Sequence, residues 1–184
     1  MSNIKSRTEI KLIREQLKQQ NKKVVFTNGC FDLIHSGHVD YLVKAKEMGD
    51  VLILALNTDS SIKRIKGIKR PILEQNERAF IVSNLKPVDY VTFFEEDTPA
   101  EIISEIIPDI LVKGADWDLN KIVGKDVVES NGGEVKTIKF VNDQSTSKII
   151  NSIVNIGNPQ NYTVVHRTRP KKLLAKAEGL YDLE

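Results

Sequence analysis

Residues 23–56 read KVVFTNGCFDLIHSGHVDYLVKAKEMGDVLILAL, and this stretch predicts how the fold begins. A short β-branched run at 23–27 ends at Asn28-Gly29, which indicates a strand that enters a loop. The apolar positions within 37–48 have helical spacing and stop before a glycine. Residues 51–56 are apolar without alternation, as in a parallel strand buried on both faces. The stretch therefore predicts a strand, a helix and a second, parallel strand.

The same alternation of strands and helices continues on both sides of this unit. Apolar periodicity predicts further helices at residues 8–20, 73–85, 99–107, 123–130 and 145–154. Short apolar runs predict strands at 90–93, 109–113 and 135–140. Alternation of this kind implies parallel pairing, with helices on both faces of one sheet. We predict an α/β protein with a single Rossmann-like domain at residues 1–155, followed by an appendage of unknown role at 156–184.

Composition narrows the class of protein before any motif is considered. Hydrophobic residues make up 40% and charged residues 28% of the 184 residues, and the formal net charge is +2. A nearly balanced charge gives no reason to expect nucleic acid as a partner. The single cysteine, Cys30, cannot form an internal disulfide, and no apolar run is long enough to cross a bilayer. The polar start is unlike a signal peptide. We therefore expect a soluble, cytoplasmic protein that binds no membrane.

The strongest functional signal is the segment NGCFDLIHSGH at residues 28–38, between the first predicted strand and the next helix. Free N–H groups and the positive dipole end of a helix favour bound phosphate at such a junction. Gly29 and Gly37 allow a ligand to approach the backbone closely. His35 and His38 are spaced so that both imidazoles can face one anionic group. Two alternatives remain: histidines with a structural role, or a zinc site with Cys30, which would lack a fourth protein ligand.

The histidine motif and several other segments resemble those of a known protein family. His35-Ser36-Gly37-His38 matches the HxGH signature of the nucleotidylyltransferase superfamily, and residues 29–35 resemble its cytidylyltransferase-like branch. Five more segments resemble the D-glycero-β-D-manno-heptose 1-phosphate adenylyltransferases of ADP-heptose synthesis, namely 57–59, 63–71, 94–99, 108–114 and 132–135. The resemblance covers about residues 5–154. Members of that family occur separately or fused behind a sugar kinase, and the length of this chain implies the separate form.

The resemblance implies transfer of AMP from ATP to heptose 1-phosphate, with pyrophosphate released. The sugar phosphate would attack the α-phosphate directly and in line; it is already ionised at neutral pH and needs no general base. Mg²⁺ is expected with ATP, held largely by phosphates and water, with no assigned protein ligand. Three alternatives stay open: a glycerol-3-phosphate cytidylyltransferase, an FMN adenylyltransferase, and a regulatory module that binds nucleotide without catalysis. A homodimer rests only on analogy with relatives.

The resemblance also assigns roles to individual residues. The catalytic residues it implies are His35, His38 and Lys46, with Lys44 or a solvated helix face as the alternatives for the lysine. The implied nucleotide-binding residues are Asn28, Gly29, Phe31, Gly37, Lys113, Gly114, Ser145, Thr146 and Ser147. The implied residues for the sugar phosphate are Asp32, Asp59, Lys66, Arg70 and Arg78.

Some of these assignments have a structural alternative of similar weight. The basic run at 63–70 is either a solvated surface or a loop that gathers phosphate, and its position after a strand favours the loop. Asp59 would alternatively cap a turn at residues 60–61, and residues 145–147 would alternatively only cap a helix. Trp117 would pack either on a ring of the ligand or on the core.

Overall fold

A computed structural model describes residues 3–115, 118, 121–139 and 145–156 of the chain. The strands are β1 (Val24–Gly29), β2 (Val51–Asn57), β3 (Tyr90–Phe94), β4 (Ile110–Gly114) and β5 (Glu134–Ile138). The helices are α1 (Arg7–Gln19), α2 (Ser36–Lys46), α3 (Asp59–Lys66), α4 (Gln75–Ser83), α5 (Ala100–Ile106), α6 (Lys125–Ser130) and α7 (Thr146–Ile156). Trp117, Phe140 and the predicted appendage from residue 157 onward lie outside the described residues.

The five strands form one parallel sheet in the order β3-β2-β1-β4-β5. This confirms the predicted α/β fold with a parallel sheet. The strand order reverses beside β1, so that β1 pairs with β2 on one side and β4 on the other. The β1–β4 pairing is short and joins only Val25–Phe26 to Ile110–Leu111. A crevice therefore opens where the carboxyl ends of these two strands separate, at the topological switch point.

Both faces of the sheet are covered, as the unbroken apolar run of β2 predicts. Leu52, Leu54 and Leu56 pack on one face in a cluster that includes residues of α2 and α4. Ile53 and Ala55 pack on the opposite face, in a cluster that includes residues of α1, α5 and α6. Successive side chains of a strand point to opposite faces, so a strand in the middle of such a sheet must be apolar throughout.

The helix α3 is the main departure from the sequence prediction, which placed a basic loop there. Thr58 caps this helix by accepting a hydrogen bond from the backbone N–H of Ser61, so Asp59 does not have the capping role that was considered for it. Ile62 is fully buried, whereas the basic residues of the helix are exposed. Only the part of the basic run after Gly67 is a loop, and it contains Lys69 and Arg70.

The chain divides into two compact units, residues 1–149 and 150–184. The first unit contains the whole sheet and helices α1 to α6. Among the described residues, no helix is long and apolar enough to span a membrane.

Candidate active site

A pocket of about 390 Å³ lies where the carboxyl ends of β1, β2 and β4 meet, beside the switch point. We call it the switch-point pocket. Ten of the predicted site residues line it: Asn28, Gly29, Phe31, Asp32, His38, Lys66, Arg70, Lys113, Gly114 and Thr146. These residues come from four separate parts of the chain, and the parallel sheet brings them together.

Asn28 and Lys113 meet across the switch point. Each lies next to the last residue of its strand, in β1 and β4, and Lys113 donates a hydrogen bond from Nζ to Oδ1 of Asn28. Burial lowers the pKa of Lys113 to about 8. The amine is therefore still mostly protonated at neutral pH, and it places a partly desolvated positive charge in the pocket.

Three aromatic rings contact one another at the start of α2, those of Phe31, His38 and His35. Gly29 lies against the ring of Phe31. Phe31 has a positive φ of 43°, and its ring lies so close to Gly29 that a Cβ there would be 3.0 Å from Cε2 of Phe31. The Phe31 ring lies 4.9 Å from that of His38, which stacks on His35 at a centroid distance of 4.0 Å. The glycine thus makes room for the phenyl ring that supports the two imidazoles.

The two imidazoles are held in their neutral forms. Burial lowers the pKa of His38 to about 4, with smaller contributions from the nearby charges of His35 and Lys66. Burial also lowers the pKa of His35. Both Nδ1 atoms are buried and find no hydrogen-bond partner within the described part of the chain. A buried nitrogen without a hydrogen-bond partner lowers the stability of the folded protein. A ligand that bonds to these two imidazoles would therefore stabilise the protein.

The depressed pKa of His38 predicts a specific pH dependence of stability. Between about pH 4 and 6.5 the unfolded state binds a proton that folded His38 does not, so the free energy of unfolding falls as the pH is lowered through that range. From pH 7 to pH 5 we expect wild type to lose on the order of 1–2 kcal/mol more than His38→Asn, as measured by urea unfolding. Equal losses in the two proteins would show that the pKa of His38 is not depressed.

The first turn of α2 has no side-chain cap. His35 is the N-cap residue but makes no side-chain capping hydrogen bond, and Gly37 is buried in the turn. Tyr41, one turn further on, fixes the helix over the switch point: its hydroxyl bonds to Oγ1 of Thr27 in β1 at 2.6 Å and donates to the Val112 carbonyl in β4 at 3.0 Å. The helix N-terminus is thereby held against the two strands that form the crevice.

The start of α7 contributes Thr146 to the pocket. Its hydroxyl donates to the Leu33 carbonyl at 3.4 Å, which ties this helix start to the histidine loop. Ser145 accepts a hydrogen bond from the Lys148 backbone N–H, so its hydroxyl caps the helix. Ser145 and Ser147 are both exposed and are not among the residues that line the pocket.

Asp32 organises the loop after α3, and its oxygens are engaged within the protein. The carboxylate is 2% exposed and forms an ion pair with Arg70 at 2.7 Å. It also accepts hydrogen bonds from the backbone N–H groups of Ile72 and Leu73 at 2.9 Å. Asp32 therefore presents Arg70 at the pocket wall, and it also lines the pocket where the sequence suggested a substrate contact.

Arg78 and Asp59 do not line the pocket and bind each other instead. Arg78 is completely buried and donates to the carbonyls of Leu73, Cys30 and Asn57, as well as to Oδ1 of Asp59 at 2.8 Å. Asp59 also accepts a hydrogen bond from the backbone N–H of Gln75. The two residues clamp the ends of β1 and β2 to the start of α4, outside the pocket lining, whereas the sequence suggested that they bind substrate.

Lys46 lies at the end of α2 that is remote from the pocket. It follows His38 by eight residues, which at about 1.5 Å per residue is a rise of about 12 Å along a helix. Its Nζ forms an ion pair with Asp89 at 2.6 Å, at the amino edge of the sheet. Lys44, the alternative, pairs with Asp40 at 2.7 Å on the helix surface. Neither lysine lines the pocket.

This placement predicts that Lys46→Ala leaves catalysis intact. We expect the rate of pyrophosphate release to stay within about twofold of wild type. The free energy of unfolding should fall by about 1 kcal/mol or less, as for other partly exposed ion pairs. A steady-state assay alongside urea unfolding measures both quantities. A loss of turnover of a hundredfold would instead place this lysine in the catalytic machinery.

The pocket also contains residues that the sequence analysis did not single out as site residues. Asn57, the last residue of β2, is 4% exposed and lines the pocket. Other such residues are Cys30, Tyr41, Ile65, Phe94, Asp97, Pro99, Ile122 and Val123. The signal that would have found Asn57 is its position at the carboxyl end of a strand next to β1, where ligands bind in parallel sheets.

The described residues contain no group of three or more His, Cys, Asp or Glu side chains arranged to hold a metal ion. Cys30, His35 and His38 do not converge on a common point: the two imidazoles stack on each other, and Sγ of Cys30 lies 3.9 Å from Oδ1 of Asn57. The donor set therefore does not fit the zinc alternative, and Asp32 is too fully engaged to fit a protein cage for Mg²⁺.

A family comparison covers the same part of the chain. The cytidylyltransferase-like family model matches residues 26–152, which include both histidines and every residue that lines the pocket. The chain belongs to the cytidylyltransferase-like family. This membership confirms the sequence resemblance and makes the chain a nucleotidyltransferase.

Curated relatives are similar over most of this chain. It is 54% identical over 136 residues to the bifunctional protein HldE of Citrifermentans bemidjiense, covering 74% of this chain. It is 48% identical over 153 residues to the bifunctional protein HldE of Pelobacter propionicus, covering 83% of this chain. The chain spans only 28% and 31% of the length of these two relatives.

Solved structures share the fold. The lipopolysaccharide core biosynthesis protein from Thermoplasma volcanium has a TM-score of 0.55 and 30% identity, covering 67% of this chain and 99% of that one. Pantoate-beta-alanine ligase from Francisella tularensis has a TM-score of 0.55 at 12% identity, covering 96% of this chain and 85% of that one, which shows the fold alone.

Proposed function

We propose that the chain transfers AMP from ATP to D-glycero-β-D-manno-heptose 1-phosphate, giving ADP-heptose and pyrophosphate. The observation that carries the proposal is the arrangement of cations and neutral hydrogen-bond donors around one pocket. Lys113 and the histidine stack lie at the β1–β4 crevice, and Lys66 and Arg70 lie at the end of α3 and in the loop that follows it. Several donors around one pocket suit a reaction that brings two polyanions together.

The chemistry requires positioning and charge stabilisation rather than a nucleophile from the protein. An oxygen of the sugar phosphate attacks the α-phosphorus of ATP, and the bond from that phosphorus to the bridging oxygen of the β-phosphate breaks, so that pyrophosphate leaves with its electron pair. The attacking phosphate is already anionic and needs no base. Preorganised donors lower the barrier by stabilising the charge on the five-coordinate phosphorus.

The described residues supply these donors in a desolvated setting. His38 and Lys113 line the pocket. Arg70, which is held by Asp32, and Lys66, which makes no ion pair within the described residues, line the same pocket and are proposed to receive the phosphate of the acceptor. Mg²⁺ is proposed to enter with ATP, held by phosphate oxygens and water, and the described residues contain no group of three or more His, Cys, Asp or Glu side chains that could hold it.

The choice of heptose 1-phosphate rests on sequence similarity. Segments 57–59, 94–99 and 132–135 resemble the heptose 1-phosphate adenylyltransferases, and the structural relative from Thermoplasma volcanium is a lipopolysaccharide core biosynthesis protein. The bifunctional relatives are about three times as long as the region they share with this chain, which fits one of their two activities. A homodimer in the cytoplasm is part of the same proposal.

A substrate panel tests the proposal. ATP and CTP are each paired with heptose 1-phosphate, glycerol 3-phosphate and FMN, and pyrophosphate release is measured. We expect turnover with ATP and heptose 1-phosphate. Turnover with CTP alone, or with ATP and FMN alone, would replace the proposal with another nucleotidyltransferase activity. ATP binding with no pyrophosphate from any pair would favour a regulatory module. The mass in solution measures the oligomeric state.

A further inference from the structure

The switch-point pocket contains a negative charge that the proposed reaction does not explain. Among the described residues that line it, two are carboxylates, Asp32 and Asp97. Asp32 is neutralised by Arg70 and by two backbone N–H groups. Asp97 is different, because its side chain is 60% exposed at the pocket rim. It is therefore the carboxylate in this lining that remains accessible to a ligand.

One carboxylate oxygen of Asp97 accepts a hydrogen bond within the protein, and the other is available to a ligand. Its Oδ1 accepts a hydrogen bond from Nε of Arg64 at 2.7 Å, whereas Oδ2 accepts none within the described part of the chain. Arg64 is itself fixed, because its Nη2 donates to the carbonyl of Glu95. The arginine thus orients the carboxylate without covering it.

A carboxylate oxygen without a hydrogen-bond partner repels the phosphates of the two substrates and weakens their binding, unless the ligand donates a hydrogen bond to it. Like charges repel, and an ionised carboxylate can only accept hydrogen bonds. The natural partners are hydroxyl groups, which donate to a carboxylate in strong, charge-assisted hydrogen bonds. A polyhydroxylated acceptor supplies such groups, whereas the triphosphate of ATP does not.

Asp97 lines the same pocket as a cation that is available to the acceptor phosphate. It follows β3 and precedes α5, and its partner Arg64 lies on α3. Lys66, on the same helix as Arg64, also lines the pocket and makes no ion pair within the described residues. The pocket lining therefore offers a cation for the phosphate and a carboxylate for hydroxyls.

We infer that Asp97 binds hydroxyl groups of the acceptor and selects a polyhydroxylated phosphate ester. The inference rests on the proposed function, in which the acceptor is a sugar phosphate. The catalytic steps above use no residue of the segment at 94–99, and the inference gives that segment a role in binding the acceptor.

The test compares wild type with Asp97→Asn on two acceptors, heptose 1-phosphate and ethyl phosphate, which has no free hydroxyl. With the sugar phosphate we expect the KM to rise about tenfold or more, because a charge-assisted hydrogen bond becomes a neutral one, while the KM for ATP stays within about twofold. With ethyl phosphate we expect kcat/KM to stay the same or rise, since a repulsive charge has been removed. Equal losses on both acceptors, or no change on either, would overturn the inference.

Two matched variants separate the carboxylate from its surroundings. Arg64→Gln breaks the same ion pair but keeps Asp97, and it should retain most of the preference for the sugar phosphate. Asp40→Asn removes an exposed carboxylate that pairs with Lys44 outside the pocket, and it should behave as wild type. If Arg64→Gln lost the preference as fully as Asp97→Asn, the ion pair rather than the free oxygen would be responsible, and the inference would fail.

The acceptor that wild type uses, together with the effect of Asp97→Asn, distinguishes a wrong role for Asp97 from a wrong proposed function. If wild type turns over heptose 1-phosphate and Asp97→Asn is unchanged, the inference alone is wrong. If wild type uses glycerol 3-phosphate instead, the proposed function is wrong. A KM effect of Asp97→Asn on that hydroxylated acceptor, absent with ethyl phosphate, would then still support the role of Asp97.

Discussion

His38→Ala is expected to lower the rate of pyrophosphate release by about a hundredfold or more, and His35→Ala to do the same. Such a loss is typical when a donor that stabilises developing charge is removed from a desolvated site. His38 lines the pocket beside Lys66 and Arg70, and His35 stacks on it at 4.0 Å. The loss should fall on kcat, because the donors act mainly on the transition state.

The matched control for the histidine variants is Lys44→Ala, on the same helix. Lys44 pairs with Asp40 outside the pocket, so its removal should leave kcat within about twofold of wild type. Far-UV circular dichroism establishes that each variant is folded. If either histidine variant kept wild-type turnover, that imidazole would have a structural role, which is the alternative that the sequence left open.

Arg78→Ala is expected to destabilise the protein by on the order of 3–5 kcal/mol, a large fraction of the stability of an ordinary domain. The guanidinium is completely buried and satisfies the carbonyls of Leu73, Cys30 and Asn57. Its removal leaves those carbonyls and the Asp59 carboxylate without their partner. Arg78→Lys should rescue little, since an ammonium lacks the planar fork that reaches several acceptors.

Urea unfolding of Arg78→Ala measures this effect, with Arg64→Ala as the control. Arg64 is also an arginine bonded to a carboxylate and a carbonyl, but its ion pair is exposed, so its removal should cost about 1 kcal/mol or less. A cost for Arg78→Ala as small as that for Arg64→Ala would contradict the clamp role. It would also reopen the question of whether Arg78 reaches a ligand.

The fold was largely predictable because apolar patterning is local. The unbroken run of β2 predicts a central strand, and the alternation of elements predicts the parallel sheet. The helix α3 was missed because its basic residues dominate the pattern. Its buried face is contributed by few residues, chiefly Ser61 and Ile62, and its cap by Thr58.

The site was predictable wherever a residue ends a strand or begins a helix at the switch point. Asn28, Lys113 and His38 are such residues, and all three line the pocket. The predicted site residues that lie outside the pocket lining include charged residues that pair with distant partners. Arg78 with Asp59 and Lys46 with Asp89 are ion pairs between parts of the chain that only the fold brings together, so no local pattern reveals them.

A crystal structure of the protein with α,β-methylene-ATP, a non-reactive analogue, tests the central claim most directly. We expect an α-phosphate oxygen within hydrogen-bond distance of His38 and the triphosphate beside Lys113, at the crevice between β1 and β4. A nucleotide bound elsewhere, or histidine rings turned away and bonded to neighbouring side chains, would contradict the account.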